Sequence, residues 1–303
     1  MSKILHKYKN GNVDVTLYEN GTQVLEYPDG SNPEYAFPTS MDVHITNKCL
    51  FNCPQCHEGS SESGRHGDLN KLSEIISVLP HAELAIGGGD AFLHPELEPF
   101  LKRCKEQGLV CNLTVNQKQL KRDFNQLRRF IDEKLVYGIG LSVSSPRSWD
   151  GDREWWFAGY EHTVLHLIMG IHTVEDLQIL RDNFGFKKFL LLGYKVFGRG
   201  VEYYQKNKET IDNNIKEWDD NILKLFQGCI ISFDNLALEQ LTLQGKLPEK
   251  LWNQSFMGED FNHTMYIDVV EREYAPTSRS PKSDRVKWDD MDFLTYFRNN
   301  RNK

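Results

Sequence analysis

"MDVHITNKCLFNCPQCHEGS", residues 41–60, joins a short alternating run to three closely spaced cysteines. Val43 and Ile45 alternate with Asp42 and His44, the period of a strand with one apolar face, and the alternation stops just before Cys49. Cys49, Cys53 and Cys56 follow as C-x3-C-x2-C, with no fourth cysteine nearby. Thiolates suit soft or borderline metals, and loop cysteines this close can wrap one compact centre. Two inorganic readings compete. A structural zinc site usually draws on a second short ligand pair, which is missing downstream, so it would need His57 or another distant donor. An iron–sulfur cluster with one iron left without a cysteine needs no further thiol. Cys104, Cys111 and Cys229 are scattered and fit as small buried hydrophobes on a helix, in a strand and at the head of an apolar run.

Working outward, short β-type runs alternate with amphipathic stretches from Met41 to Gly200, the pattern of βα units around a parallel sheet. Six strands are expected: "MDVHIT", "ELAIGGG", "VCNLTV", "VYGIGLSV", "TVLHLIMGI" and "KKFLLLGYKVF". Between them, Leu69, Leu72, Ile75, Ile76 and Leu79 recur at helical spacing, and "TVEDLQILRDNFG" ends on a glycine suited to a helix C-cap. In "KQLKRDFNQLRR" the apolar Leu120, Phe124 and Leu127 share one helical face, which makes the basic residues its solvated side. "SPRSWDGDREWWFAGYEH" has no clean period and reads as a loop with a short helix. Six units are too few for a closed eight-stranded barrel, leaving an open partial barrel or an open α/β sheet, either of which binds ligands at the C-terminal ends of its strands.

The flanks differ from this core. "NVDVTLYENGTQVLEY" alternates on both sides of Asn20-Gly21, a hairpin turn pair, and Pro28, Pro33 and Pro38 read as a linker. After Gly200, Ile211, Ile215, Trp218, Ile222 and Leu225 form the stripe of a docked helix, and the strand-like "HTMYIDVVEREYA" and a polar tail follow, with the last residues expected to fray. The divisions are therefore 1–40, 41–200 and 201–303. The chain has 303 residues, 39% of them apolar, enough for a large core, and no run approaches the ~18 apolar residues of a membrane span. With no secretory stretch at the N-terminus and only six cysteines, the cytoplasm is the expected compartment. A net charge of −7 gives no global argument for nucleic acid or acidic lipid, and neither a membrane nor a nucleic-acid duplex is expected as partner.

C-x3-C-x2-C after the first strand of a βα array resembles the radical S-adenosylmethionine (SAM) superfamily, over Met41 to Gly200. The resemblance implies an α/β fold with a partial (β/α)6 barrel, an N-terminal β-hairpin and a C-terminal α+β extension. It implies that Cys49, Cys53 and Cys56 hold one 4Fe-4S cluster whose remaining iron takes SAM, cleaved reductively to a 5′-deoxyadenosyl radical that removes hydrogen from a substrate. "LAIGGGDAFLHPEL" is similar to the family's GGE motif, with Gly88, Gly89 and Asp90 as contacts of the methionyl amino group. Glycines let backbone approach a ligand and a carboxylate pairs with an ammonium. Gln55 stands where the family usually has an aromatic near adenine, and Asp90 is one methylene shorter than the usual glutamate. Asn116 in "LTVNQ" is either a polar contact near the cluster or a cap of the next helix. Ser142 in "LSVSSP" matches a serine that commonly touches SAM, with Ser144 a neighbour of the same chemistry. "GYKVFGRG" is similar to a Gly-Arg-Gly stretch in some members: Gly198 and Gly200 would admit adenine, and Arg199 would pair with a carboxylate or phosphate.

"MYIDVVEREYAPTS" resembles the C-terminal SPASM-like region of peptide-modifying members without its cysteines, so a single cluster is expected, as in poorly characterised phage and bacterial relatives. The implied partners are an electron donor such as flavodoxin or ferredoxin, and a peptide, protein or nucleotide-like substrate. Trp149, Trp155, Trp156 and Tyr160 either line the entrance or pack the helix layer. Two alternatives to a radical SAM enzyme are a structural zinc-binding protein and a cluster-bearing relative that has lost SAM cleavage.

Overall fold

The alternation at 41–46 belongs to a strand whose two faces meet different surroundings, and the same division runs through the whole sheet. A computed structural model describes residues 3–300 apart from positions 20, 29, 150, 151, 257 and 259. Strands β1 (Ile4–Asn10), β2 (Val13–Tyr18) and β3 (Gln23–Glu26) form an antiparallel sheet in that order. The β2-β3 pair matches the expected hairpin, although Asn20 of its turn lies outside the described residues. β1 is an additional strand, joined to β2 through Gly11 at φ +65°, where a Cβ would stand 1.8 Å from Glu34 O. The proline-bearing segment that follows is packed, not loose. Asn10 is fully buried and donates from Nδ2 to Phe37 O (2.7 Å), while its Oδ1 accepts from Ala36 N (2.7 Å) and Phe37 N (3.2 Å).

The second sheet has ten strands. The six expected strands appear as β4 (Ser40–Thr46), β5 (Glu83–Gly88), β6 (Val110–Asn116), β7 (Ile139–Ser142), β8 (Thr163–Ile168) and β9 (Lys188–Leu192), adjacent in sequence order and all parallel. They alternate with helices α1 (Leu69–Ile76), α2 (Leu97–Gln107), α3 (Gln117–Asp132), α4 (Asp152–Gly159), α5 (Val174–Asp182) and α6 (Arg199–Leu225). Two further parallel strands come from beyond Gly200: β10 (Ile230–Phe233) pairs with β9, and β11 (Thr264–Asp268) pairs with β4. β12 (Glu273–Ala275) and β13 (Val286–Lys287) extend the β11 side antiparallel, so β10 and β13 are the outer strands. Sequence alternation hid β10 because it is short and at the rim, with Ile230 60% exposed.

Met41, Val43 and Ile45 are buried in one core with Leu84, Ile86, Leu113, Leu165 and Leu167 of the neighbouring strands and with Leu72, Phe100 and Leu120 of α1, α2 and α3. The intervening residues Asp42, His44, Asn112, Thr114, Ser142 and His166 instead line a cavity of about 1370 Å³. A parallel sheet covered on both faces reads as nearly continuous apolar strands. Here one face looks into a cavity lined by polar and apolar side chains alike, which lets residues such as Asp42, Asn112 and His166 alternate with buried apolar ones, while Val164, Ile168 and Leu190 face the same space. Helix α6 starts at Arg199, earlier than its apolar stripe implies, and buries Ile211, Trp218, Ile222 and Leu225. Trp149 packs against Phe184 and Phe186, and Trp156 stacks on Tyr160; none of the four aromatics lines the cavity. Cys104 and Cys111 are buried, and Cys229 is partly so, donating from Sγ to Leu225 O (3.1 Å). Among the described residues no helix is long and apolar enough to cross a membrane. Of the tail expected to fray, residues 301–303 lie outside the described residues.

Candidate functional site

The polypeptide leaves β4 at Thr46 and returns at His66, and backbone bonds pin both limbs: Asn47 N donates to Arg65 O (2.9 Å), Cys49 N to Ser61 O (2.8 Å) and Ser61 N to Asn47 O (3.0 Å). Between these limbs the loop carries Cys49, Cys53 and Cys56, all partly buried and all lining the cavity. Cys56 N donates to Cys53 O (3.2 Å), a turn that places the two side by side. Burial pushes the Cys49 and Cys53 thiols up, and the neighbouring Cys56 adds to this at both. A cation bound beside Cys49 and Cys53 would favour their thiolates against this upward shift.

The glycine turn after β5 straps the loop from below. Gly89 N donates to Thr46 O (2.6 Å) and Asp90 N to Lys48 O (2.7 Å), while Gly88 sits at φ +117° with a Cβ position 2.7 Å from Thr46 O. Gly88 and Gly89 line the cavity; Asp90 does not. Its side chain is wholly buried, with Arg122 Nη2 2.8 Å from Oδ2. Burial pushes the Asp90 carboxyl up, and Arg122 opposes the shift.

Gln55, Asn116 and Ser142 line the cavity with the cysteines. Asn116 also caps α3, accepting from Lys118 N (2.9 Å), and takes a bond from Ser144 Oγ (3.0 Å), so its reading as a helix cap holds. Gly198 and Arg199 face the back of the cysteine loop. A Cβ on Gly198, at φ +52°, would lie 2.4 Å from His57 O. Arg199 donates from its backbone N to Cys56 O (3.0 Å), from Nε to Cys53 O (3.0 Å) and from Nη1 to Ser60 O (2.8 Å). The guanidinium expected to meet a ligand anion is thus engaged with backbone carbonyls.

Several cavity residues carried no signal as single strand positions. His44 Nδ1 lies 3.2 Å from Glu58 Oε2, His57 Nε2 lies 3.1 Å from Glu58 Oε1, and His44 Nε2 lies 2.6 Å from Asn47 Oδ1. Burial opposes charge on both groups, yet the pairing holds His44 above its ordinary value and Glu58 well below its own. Deeper in the cavity, burial pushes Asp42 up against the pull of Lys195 and holds His166 down at about 4, helped by Lys195. Asp42 is reachable through the cavity yet surrounded by protein. Among the described residues no three His, Cys, Asp or Glu side chains gather around one ion-sized point, and His57, which a zinc site would borrow, is engaged by Glu58. A cluster distributes its cysteines over separate irons, so this donor set of three cavity-facing thiols fits one.

No protein-family model matches the chain. SuiB of Streptococcus suis superposes with a TM-score of 0.59 and 11% identity, covering 99% of this chain and 88% of that one. SuiB bound to S-adenosylmethionine gives 0.56 and 12%, covering 88% and 67%. The chain has the fold of the radical SAM enzymes. A third neighbour with this radical SAM fold, anSMEcpe with bound AdoMet and a Cp18Cys peptide, gives 0.56 and 14%, covering 87% and 81%. In sequence, 136 residues are 24% identical to 7,8-dihydro-6-hydroxymethylpterin dimethyltransferase of Methanocaldococcus jannaschii, taking in 41% of this chain. The match takes in about a quarter (26%) of that relative's length.

Proposed function

We propose that the protein is a radical SAM enzyme in which Cys49, Cys53 and Cys56 hold one 4Fe-4S cluster, with SAM as co-substrate. The observation that carries this reading is the presentation of all three thiols to one large cavity at the C-terminal end of β4 in a radical SAM fold. When bound, the cluster supplies the electron that cleaves SAM to the 5′-deoxyadenosyl radical, which abstracts hydrogen from the substrate. Gln55, Gly88, Gly89, Asn116 and Ser142 are the SAM contacts in this reading, since they share the cavity with the cysteines. Asp90 and the Gly198-Arg199 segment shape the site from behind. The sheet acts as the wall of an open partial barrel, a view supported by Ser232 of β10 and Tyr266 of β11 lining the same space as the strands between them. Residues 1–40 and 201–303 serve this wall as flanking segments. The enzyme is oxygen-sensitive, works in the cytoplasm and receives its electron from a flavodoxin or ferredoxin.

At about 1370 Å³ the cavity exceeds the ~300–1,000 Å³ of ordinary small-molecule sites, leaving room for a substrate beside SAM. A peptide or protein side chain is the favoured substrate, supported by neighbours solved with precursor peptide SuiA and with the Cp18Cys peptide. The pterin-directed relative supports a second reading, a nucleotide-like heterocycle. Anaerobic reconstitution with iron and sulfide, then SAM and dithionite, tests the proposal. A brown protein that forms 5′-deoxyadenosine is expected, with cluster uptake abolished by alanine at Cys49, Cys53 or Cys56 and retained with alanine at Cys104, Cys111 or Cys229. Colourless zinc-loaded protein would reject it in favour of a structural zinc site. A brown protein that never cleaves SAM would leave only the cluster-bearing fold.

A further inference from the structure

We propose that Arg199 is a positioning residue for the cysteine loop: it ties the segment after β9 to the loop after β4, and its fixed charge raises the electron affinity of the centre held there. The second half rests on the cluster reading given above; the first does not.

The loop from Cys53 to Ser60 has little internal support. Its own backbone bonds are Cys56 N to Cys53 O and Gly59 N to Cys56 O, both long at 3.2 Å. Arg199 adds three bonds to carbonyls at the start, middle and end of this stretch: Cys53 O from Nε, Cys56 O from the backbone N and Ser60 O from Nη1. Only a planar fork of donors can span two such carbonyls while the main chain bonds a third. The approach depends on the glycines on either side. Gly198 takes φ +52° with no room for a side chain beside Cys56 O (2.9 Å) and His57 O, and a Cβ on Gly200 would lie 2.6 Å from Lys195 O. Tyr194 Oη closes the turn by donating to Gly200 O (2.9 Å). The clamp therefore belongs to the β9-α6 junction, at the first residues of α6.

The guanidinium is half-buried, permanently charged and bonded to the carbonyl of a cysteine ligand. One-electron reduction adds a negative charge to a centre already ringed by thiolates. A fixed cation bonded to the Cys53 carbonyl would stabilise the reduced state more than the oxidised one, and so would move the midpoint potential upward.

Arg199→Gln and Arg199→Lys separate the two roles. In the metal-free chain, hydrogen exchange of amides 53–60 is expected to be about tenfold faster in both variants, with the β4 amides unchanged. After reconstitution, Arg199→Gln is expected to hold less iron and to show a more negative midpoint in an EPR-monitored dithionite titration, whereas Arg199→Lys keeps the midpoint and loses iron. Parent-like exchange across 53–60 in Arg199→Gln would overturn the clamp. An unshifted midpoint in Arg199→Gln would overturn the charge role. If the parent chain itself takes up no 4Fe-4S cluster while loop exchange rises in the variants, the cluster reading fails with the charge role, and the clamp stands.

Discussion

Glu83 opens β5 beneath the N-terminal sheet, where its carboxylate is met by Gln23 Nε2 at 3.3 Å and Asn112 Nδ2 at 3.4 Å. Burial pushes this carboxyl up from 4.5 to about 7, and the Asn112 bond only partly opposes the shift. A raised carboxyl favours the protonated form in the folded state. Its stabilisation is therefore complete below the unfolded value near 4.5 and is lost as pH rises through about 7. The shift corresponds to roughly 3 kcal/mol at most. Glu83→Gln removes the penalty of ionisation, so its melting temperature should exceed the parent's by an amount that grows between about pH 5 and about pH 8. Parallel pH profiles for parent and variant in thermal melts would show that Glu83 is hydrated in the folded state.

The N-terminal sheet is fastened as an element through Asn10, whose amide meets the 36–37 backbone at both ends. Asn10→Ala leaves the Ala36 and Phe37 amides and the Phe37 carbonyl without this partner in a dry site, a loss of about 3 kcal/mol that should appear as a lower urea midpoint with an unchanged slope. This fastening was not legible in the sequence, where the prolines at 28, 33 and 38 suggest a loose connector. The six central strands were legible because β4 to β9 alternate faces or end on glycine. β1 and β10 were not, because rim strands expose residues such as Ile4 and Ile230 that blur the alternation. At the site, the cysteines declared themselves by local spacing alone. Asp42, His44 and His166 did not, since polar residues between apolar ones along a strand also describe a solvent-facing sheet. Only the register across β4 to β9 turns them toward one space. The contacts of Arg199 were not legible either, because they depend on a loop about 140 residues earlier.

Across the whole molecule, β10 and β11 cover the two flanks of the core array, so the segment after Gly200 is part of the sheet. A chain stopped after residue 258 lacks β11 to β13 and bares the backbone edge of β4, the strand that leads into the cysteines. Unpaired edges associate with one another. Such a chain should elute as aggregates in size-exclusion chromatography and take up less iron than the parent; a soluble monomer with parent-like iron content would show that β4 holds its register unaided. The same pairing imposes a schedule on synthesis. All the strands from β4 to β10 leave the ribosome before β11 does, so a nascent chain carries the three cysteines next to an unprotected flank throughout most of its elongation. On the proposed cluster reading, iron and sulfide would best arrive at a late moment, after translation has supplied the neighbour that β4 awaits.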